Sequence, residues 1–454
     1  MTGDAERRDA DVAVVGAGIS GLHAARLLTA GGLDVVVLEG RDRIGGRTVS
    51  APIGAGRQVE LGGQFVAARY QRLTELLREL EIDTFPTYDD GENLLDFGDR
   101  RRTYSGAVPP LPLLALAGMG LAEWRLNRMA RSVAPQAPWT ARHAAQWDAQ
   151  TFGGWLQQHG PRSGQARTLL NLLAGTVWGA EPEQLNLLQA LAYAAAAGGL
   201  RQTAGVRGGM QERRIDGGPA QLCAALATTA GEIRLGTTVR EIVHPRDRVD
   251  LRADGLIVRA RHAIVAVPPA LVSQIAFDPP LPVARDDALR RLPAGRVTKV
   301  VAVYPTPFWR DDGRSGQAVS DAGPAGATFD NSPPDGRPGV LLGFVTGRRA
   351  TAFSALAAAE RRQLVVAQFR RLFGAAADRP EQYLEHDWAA DPFARGCYFG
   401  LAGPGMVSAV GDLLEQPLGR LHWAGAETTV ASYGGMDGAV LAGDRVAAEV
   451  IASP

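Results

Sequence analysis

Lysine is nearly missing from this chain of 454 residues: Lys299 stands alone, and every other one of its 48 cationic side chains is arginine. Surface cations tolerate that exchange. A small, flexible, deprotonatable ammonium in a tight site does not. Cysteine is scarce too: Cys223 and Cys397 are the only two, which excludes a disulfide framework and fits a reducing compartment. Long apolar runs are absent. The longest, Leu111–Ala122, holds two glycines and falls short of the roughly 20 residues a bilayer requires; it reads as a buried helix of an accessory domain. Excess charge is absent as well, with 48 acidic against 48 basic side chains. With no basic stripe or tail, neither nucleic acid nor an anionic membrane is an expected partner. The polar start, residues 1–9, has no apolar signal core and reads as a disordered lead-in. The seven histidines form no catalytic triad and no metal-ligand cluster, so no metal is expected. His422, in the strand-like Leu421–Trp423, reads as a satisfied core histidine.

What is present is ordinary for a soluble globular protein, with 46% apolar and 21% charged residues. The length favours two interwoven domains over one very large core. Asp11–Val15 is a buried strand run, followed at once by Gly16-Ala17-Gly18-Ile19-Ser20-Gly21 and a helical stretch to about Thr29. A second strand, Asp34–Leu38, ends at Glu39. This is a βαβ unit with a dinucleotide fingerprint: Gly16 for the tight turn, Gly18 for backbone approach to a pyrophosphate, Gly21 for close helix–strand packing. The helix N-terminus offers free N–H groups to phosphate, and Glu39 can accept from a ribose diol. Two more glycine clusters follow, Arg43-Ile44-Gly45-Gly46-Arg47 and Glu60-Leu61-Gly62-Gly63-Gln64. Ordinary turns explain single glycines, but not three clusters in so short a span.

From about Thr84 to Arg214 the chain reads as largely helical, punctuated by prolines. Ala220–Thr229 reads as a helix with Cys223 on its packed face. Strands are expected at Glu232–Leu235, Val239–Val243, Ala263–Val267 and Val340–Val345, and a final helix at Met436–Ile451. Lys299 lies in Arg296–Tyr304, where apolar residues alternate as in a half-buried strand. A lysine there is costly unless paired or working; the bland alternative is a snorkelling lysine on an edge strand.

In this order these segments resemble the flavin-dependent monoamine oxidase family. Further carriers are Gly208–Glu212, Ala266–Pro269, Pro307–Trp309, Trp388, Gly396–Tyr398 and Ala424–Glu427 through Gly438. The resemblance covers about residues 10 to 452. It implies an α/β fold, with a Rossmann-type FAD-binding domain interwoven with an α+β substrate domain. The FAD-binding domain would comprise 10–83, 215–291 and 396–452, and the substrate domain 84–214 and 292–395. The implied cofactor is FAD, held by Gly16, Gly18, Ser20, Gly21, Glu39, Arg41, Gly46, Arg47, Gly62, Gly63, Gln64, Val239, Trp388, Cys397, Gly425, Glu427, Gly435 and Met436. Glu39 and Arg41 would take the adenosine ribose, Arg47 the pyrophosphate, and the Val239 backbone the adenine. The final helix would turn its positive end toward the flavin pyrimidine.

By the same resemblance Lys299 holds a water against flavin N5, with its pKa lowered by desolvation. Cys397 aligns with a cysteine that some members attach to the flavin; other members bind FAD without a covalent bond, and both stay open. Tyr398 matches one wall of an aromatic cage around the substrate amine. Gly435 stands where the second ring is expected, with Tyr433 or Trp178 as substitutes nearby. Gln211, Thr176 and Phe344 match cavity-lining positions. The implied activity is oxidation of an amine to an imine, with O2 reduced to H2O2. An L-amino-acid oxidase and a non-catalytic FAD-fold binding protein are the alternatives. The partners implied are a small-molecule amine and O2. The chain ends at Pro454 without the membrane tail of animal homologues, so a soluble, cytoplasmic enzyme is expected, and a homodimer by family likeness.

Overall fold

The computed structural model describes residues 6–453 apart from 55, 99, 430 and 431. β1 (Glu6–Val15), α1 (Ile19–Ala30) and β2 (Val35–Leu38) form the βαβ unit. β1 and β2 run parallel, with Val12 opposite Val35 and Val15 opposite Leu38. Both strands are buried over this stretch, as parallel strands covered on two faces must be. β1 begins earlier than expected: Glu6–Asp9 pair in parallel with Leu256–Arg259, and Arg8 bridges to Asp34 at 2.8 Å and Glu232 at 3.0 Å. Of the lead-in expected over 1–9, residues 6–9 are therefore strand, and 1–5 lie outside the described residues.

Eight strands among the described residues make the first sheet. β1 lies between β2 and Leu256–Val265, and Leu421–Trp423 pairs with that same long strand. Successive β1 residues point to opposite faces. Val12 and Val14 pack with Leu22 and Leu28 of α1 and with Val440 and Val446 of the C-terminal helix, Met436–Ala452. Ala13 and Val15 face a second core with Leu251, Val258 and Trp423. Two helices thus meet the sheet from one side, with their N-terminal ends near the carboxyl ends of parallel strands, where open α/β sheets bind ligands.

Seven strands among the described residues make the second sheet. Its order is Gln382–Asp387, Val297–Tyr304, Gly339–Thr346, Ala327–Asp330, Arg314–Ser320, Glu92–Phe97 and Arg100–Tyr104. The lysine strand is flanked on both sides, with Lys299 opposite Phe344 and opposite His386, and every residue of Val297–Tyr304 is buried. The snorkelling edge-strand reading is thereby excluded.

Two helical expectations give way. Thr84–Pro86, Glu92–Phe97 and Arg100–Tyr104 are strands; Leu94, Leu95 and Phe97 reach the core when Glu92–Phe97 pairs in parallel with Arg314–Ser320, a partner far away in sequence. The helix Leu113–Ala130 is buried only along Ala115, Ala122, Leu126 and Ala130. Leu113 and Leu114 are 84% and 89% exposed, so the helix expected to be buried is instead covered along one side only. No helix among the described residues is long and apolar enough to cross a membrane.

Candidate active site

A cavity of about 340 Å3 opens at the carboxyl end of β1. Gly16 turns the chain into it at φ +104°, and a side-chain carbon there would lie 3.0 Å from the Ala266 carbonyl oxygen, so only glycine serves. Gly18 caps α1 without any side-chain hydrogen bond, and nothing lies within 4 Å of where its Cβ would stand. The first-turn N–H groups of α1 thus have no capping side chain beside open space, an arrangement suited to phosphate. Gly21 does not line the cavity. Its Cβ would fall 2.1 Å from the Gly16 carbonyl oxygen, so it acts by letting helix and strand close.

The C-terminal helix approaches the same cavity. Its N-cap, Gly435, also has no side-chain cap, and Gly434, Gly435 and Met436 line the cavity. Two helix N-termini without side-chain caps therefore meet one space, which Glu39 and Tyr398 also line. Two such positive ends fit a group with a diphosphate in its middle and a ring that gains negative charge at one end. The residues present fit FAD.

At the β2 end, Glu39 is buried and lines the cavity; its carboxylate accepts from the backbone N–H of Ala17 and of Arg41, each at 2.9 Å. A carboxylate has further lone pairs for a diol. Arg41 is held by Asp391 at 2.6 Å, and Val239 reaches the lining from Val239–Val243. Gly46 is left-handed at φ +56° and abuts Gly18, while the Gly425 N–H donates to Ser20 Oγ at 2.9 Å. These contacts fold the three glycine segments around one space.

Arg47 lines the cavity, but its guanidinium is already engaged. It meets Glu427 at 2.5 and 2.8 Å and donates to the Tyr398 carbonyl at 2.7 Å. The fork geometry of arginine suits this double role. The pair pins the Cys397–Tyr398 backbone at the cavity wall, and Glu427 itself is behind that wall. Cys397 lines the cavity, and burial pushes its thiol up to about 12, with Arg47 opposing.

Lys299 is 2% exposed. Its ammonium donates to the carbonyls of Glu60 at 2.9 Å and Gly62 at 2.8 Å, and to Gln64 Oε1. It thereby fixes the segment whose next residue, Gly63, lines the cavity. Burial lowers its pKa to about 7, with the Glu60 carboxylate opposing and Arg214 adding to the depression. Gly62, Gln64 and Trp388 are part of this support: the Trp388 indole donates to the Leu61 carbonyl at 2.9 Å, and Gln64 donates to Asn331 at 2.7 Å. A side chain at Gly62 would strike the Arg47 carbonyl at 2.3 Å. Neither Lys299, Gly62, Gln64 nor Trp388 borders the cavity itself.

On the substrate side, Tyr398 borders the cavity and meets Phe344 edge-on at 6.4 Å. Phe344 also lies over the Lys299 ammonium at 5.8 Å. Gln211 donates to the Thr203 carbonyl at 3.2 Å, and its Oε1 is buried without a partner. Thr176 spends its hydroxyl on the Leu172 carbonyl at 2.9 Å. Tyr433 is committed to the Gly400 carbonyl at 2.8 Å and to the Phe399 ring at 5.2 Å, and Trp178 packs on Phe152 and Tyr193.

Sequence reasoning missed three features. The buried pair Glu60–Arg214, 2.7 Å apart, holds Glu60 from a strand far along the chain. Asn331 joins Gln64 to Glu60. Tyr70 stands against Gly435, its hydroxyl oxygen 3.2 Å from an ideal Cβ there. Arg214, Asn331 and Tyr70 belong to no local motif, so only tertiary contact reveals them. His422 is buried between His262 at 3.2 Å and Glu449 at 3.3 Å. Among the described residues no group of His, Cys, Asp and Glu is placed to hold a metal ion.

A cavity met by two uncapped helix N-termini, a glycine wall supported by a buried lysine and a tyrosine in the lining fit a flavin-dependent oxidoreductase. The chain belongs to the flavin-containing amine oxidoreductases, whose profile matches residues 19–451. It is 40% identical over 443 residues to a Mycobacterium tuberculosis chain described as the flavin-containing monoamine oxidase AofH, covering 97% of this chain and 96% of that one. Human flavin-containing amine oxidase B is 32% identical, with 97% and 86% covered. Putrescine oxidase with bound putrescine superposes with a TM-score of 0.93 at 33% identity, covering 98% of this chain and all of that one. Cyclohexylamine oxidase from Brevibacterium oxydans gives 0.91 at 32% identity, covering 97% and 98%. The protein is an FAD-dependent amine oxidase.

Proposed function

We propose that this enzyme oxidises a small amine to its imine and passes the electrons to O2, forming H2O2, with the imine then hydrolysed. Bound FAD supplies the electron-accepting ring. The observation that carries the reading is the convergence of both helix N-termini, Tyr398 and the Lys299-supported Gly62–Gly63 wall on one cavity. Tyr398 presents an aromatic wall at the end where the C-terminal helix begins, and Phe344 backs it. Lys299 holds the wall through three carbonyl acceptors and carries a mobile proton at Nζ. With the ammonium charged, all three N–H bonds are used; when neutral, Nζ has a lone pair and one donor fewer, and can hold water. This supports a water-holding role for Lys299 behind the Gly63 wall; Gln211 does not border the cavity, and its role toward the substrate rests on the resemblance alone.

Cys397 lines the cavity, which supports covalent attachment. Burial raises its thiol pKa, which opposes the thiolate that attachment requires, so covalent and dissociable FAD both stay open and acid precipitation decides between them. Two buried free cysteines support a cytoplasmic location; a homodimer rests on the family alone. A peroxide-coupled assay over amines and amino acids tests the reading. Peroxide formed with amines supports it, and a preference for L-amino acids would replace it with the amino-acid oxidase alternative.

A further inference from the structure

The Glu60–Arg214 pair lies where Lys299 meets the Glu60–Gln64 segment. Both side chains are buried, with Arg214 Nη2 2.7 Å from the carboxylate. The guanidinium also donates to the Ser332 carbonyl at 2.9 Å and lies 5.0 Å from the centre of the Phe85 ring. Burial pushes the Glu60 carboxyl up, but Arg214 and Lys299 outweigh it and hold its pKa below the usual carboxylate range. Stability alone is a weak reason for such a pair, since apolar residues of the same volume often serve as well or better.

Two amides join the pair to the lysine. The Lys299 ammonium donates to Gln64 Oε1, Gln64 Nε2 donates to Asn331 Oδ1 at 2.7 Å, and Asn331 Nδ2 donates to Glu60 Oε2 at 3.0 Å. The ring closes through the Glu60 carbonyl, which accepts from the same ammonium at 2.9 Å. Both amide orientations follow from the charges at the two ends. An ammonium only donates, so Gln64 must turn its oxygen to Lys299. A carboxylate only accepts, so Asn331 must turn its nitrogen to Glu60. The two amides then meet as N–H against oxygen, and every donor points from the lysine toward the carboxylate. All four residues are buried, where such a chain polarises along its length.

We propose that this ring sets when Lys299 gives up its proton: Glu60 retains it, Arg214 expels it, and Gln64 and Asn331 carry the influence of the carboxylate to Nζ. The consequence for turnover rests on the amine-oxidase reading above. Glu60, Arg214 and Asn331 are positioning residues, since none of them borders the cofactor cavity. The ionisable groups acting on the ammonium are Glu60, Arg214 and Cys397. Of these the Cys397 thiol, pushed up to about 12 by burial, is uncharged at neutral pH. His386 stands opposite Lys299 on the neighbouring strand and faces Asp391 at 3.4 Å. Two cations against one carboxylate leave one excess positive charge while Lys299 is protonated, and none once it is neutral. Without Arg214, the protonated lysine would instead be the partner of Glu60.

The test exploits the single lysine of the chain. Lysine carrying carbon-13 at Cε, built into the FAD-loaded full chain, gives one signal, and its change with pH reads Nζ alone. Glu60→Gln should move the midpoint of that titration down by about one pH unit, and Arg214→Gln should move it up by about as much. Asn331→Leu keeps every charge but breaks the chain, and should also move it down. Opposite shifts in the two ion-pair variants distinguish this role from structural support, which gives no reason for opposite signs. An unchanged midpoint in Glu60→Gln or in Asn331→Leu, or a downward shift in Arg214→Gln, overturns the proposal. Should an ion-pair variant fail to fold, the remaining two decide. The step in the pH profile of kcat should follow the midpoint in each variant. A lysine signal that moves as expected beside a fixed kcat profile would refute the reading of Lys299 in turnover and leave the ring's control of its proton standing.

Discussion

Lys299 is the residue on which charge, burial and wall geometry converge. Its lowered pKa, about 7, means that the folded protein releases its proton at a pH where the unfolded chain still holds it. Between that value and the ordinary lysine range the unfolded state binds more protons, so stability rises with pH across this window. Below about 7 both states are charged and the full burial penalty applies. Lys299→Met should remove this rise; chemical denaturation at several pH values checks it. The same substitution should leave FAD bound, since the lysine does not border the cavity, yet slow turnover or flavin reoxidation by about ten-fold or more. It should also erase any step in the pH–rate profile near 7. Identical profiles in wild type and variant would remove Lys299 from the chemistry. For Cys397, acid precipitation decides: yellow colour in the supernatant shows dissociable FAD, and colour in the pellet shows a covalent bond. Composition singled out the lone lysine but left it open as a snorkelling edge residue; the ordered motifs around it pointed to a role. Its partners Glu60, Gly62 and Gln64 were legible only as a glycine motif, because the support runs through carbonyls that no side-chain pattern announces.

At the scale of elements, the two glycines of the first turn separate structure from binding. Gly21→Ala places a carbon 2.1 Å from the Gly16 carbonyl, so the helix must move from the strand; the apoprotein should lose about 1–3 kcal/mol and bind FAD poorly. Gly18→Ala meets nothing within 4 Å. It should keep the melting temperature of the apoprotein and weaken FAD, because the new methyl enters the phosphate space. Equal losses of apoprotein stability in both variants would contradict this assignment. The βαβ unit was readable because strand, turn, helix and acid follow one another locally. The hairpin Glu92–Tyr104 was misread as helix because its pairing partner, Arg314–Ser320, lies more than 200 residues away, and local pattern carries no trace of it. The helix Leu113–Ala130 was misread for the converse reason: a run of leucines has the same appearance whether or not another element covers it.

For the whole molecule, the cofactor cavity joins segments from the beginning, middle and end of the chain, so FAD binding and folding are linked. At about 100 times its dissociation constant FAD should add about 2.7 kcal/mol, seen as a melting temperature that rises with FAD concentration. The family was legible from ordered motifs spread along nearly the full length. The substrate was not, because side chains such as Tyr70 against Gly435 come from segments that carry no motif. Tyr70 illustrates the point: the sequence showed a gap at Gly435, and the ring that covers it comes from more than 350 residues earlier. The most direct measurement is anaerobic addition of phenethylamine to the purified yellow protein, followed by air. The account predicts that the flavin band bleaches with the amine and returns with air as one H2O2 forms per flavin. A bound flavin that no amine bleaches, or a purified protein with no flavin band, would contradict it.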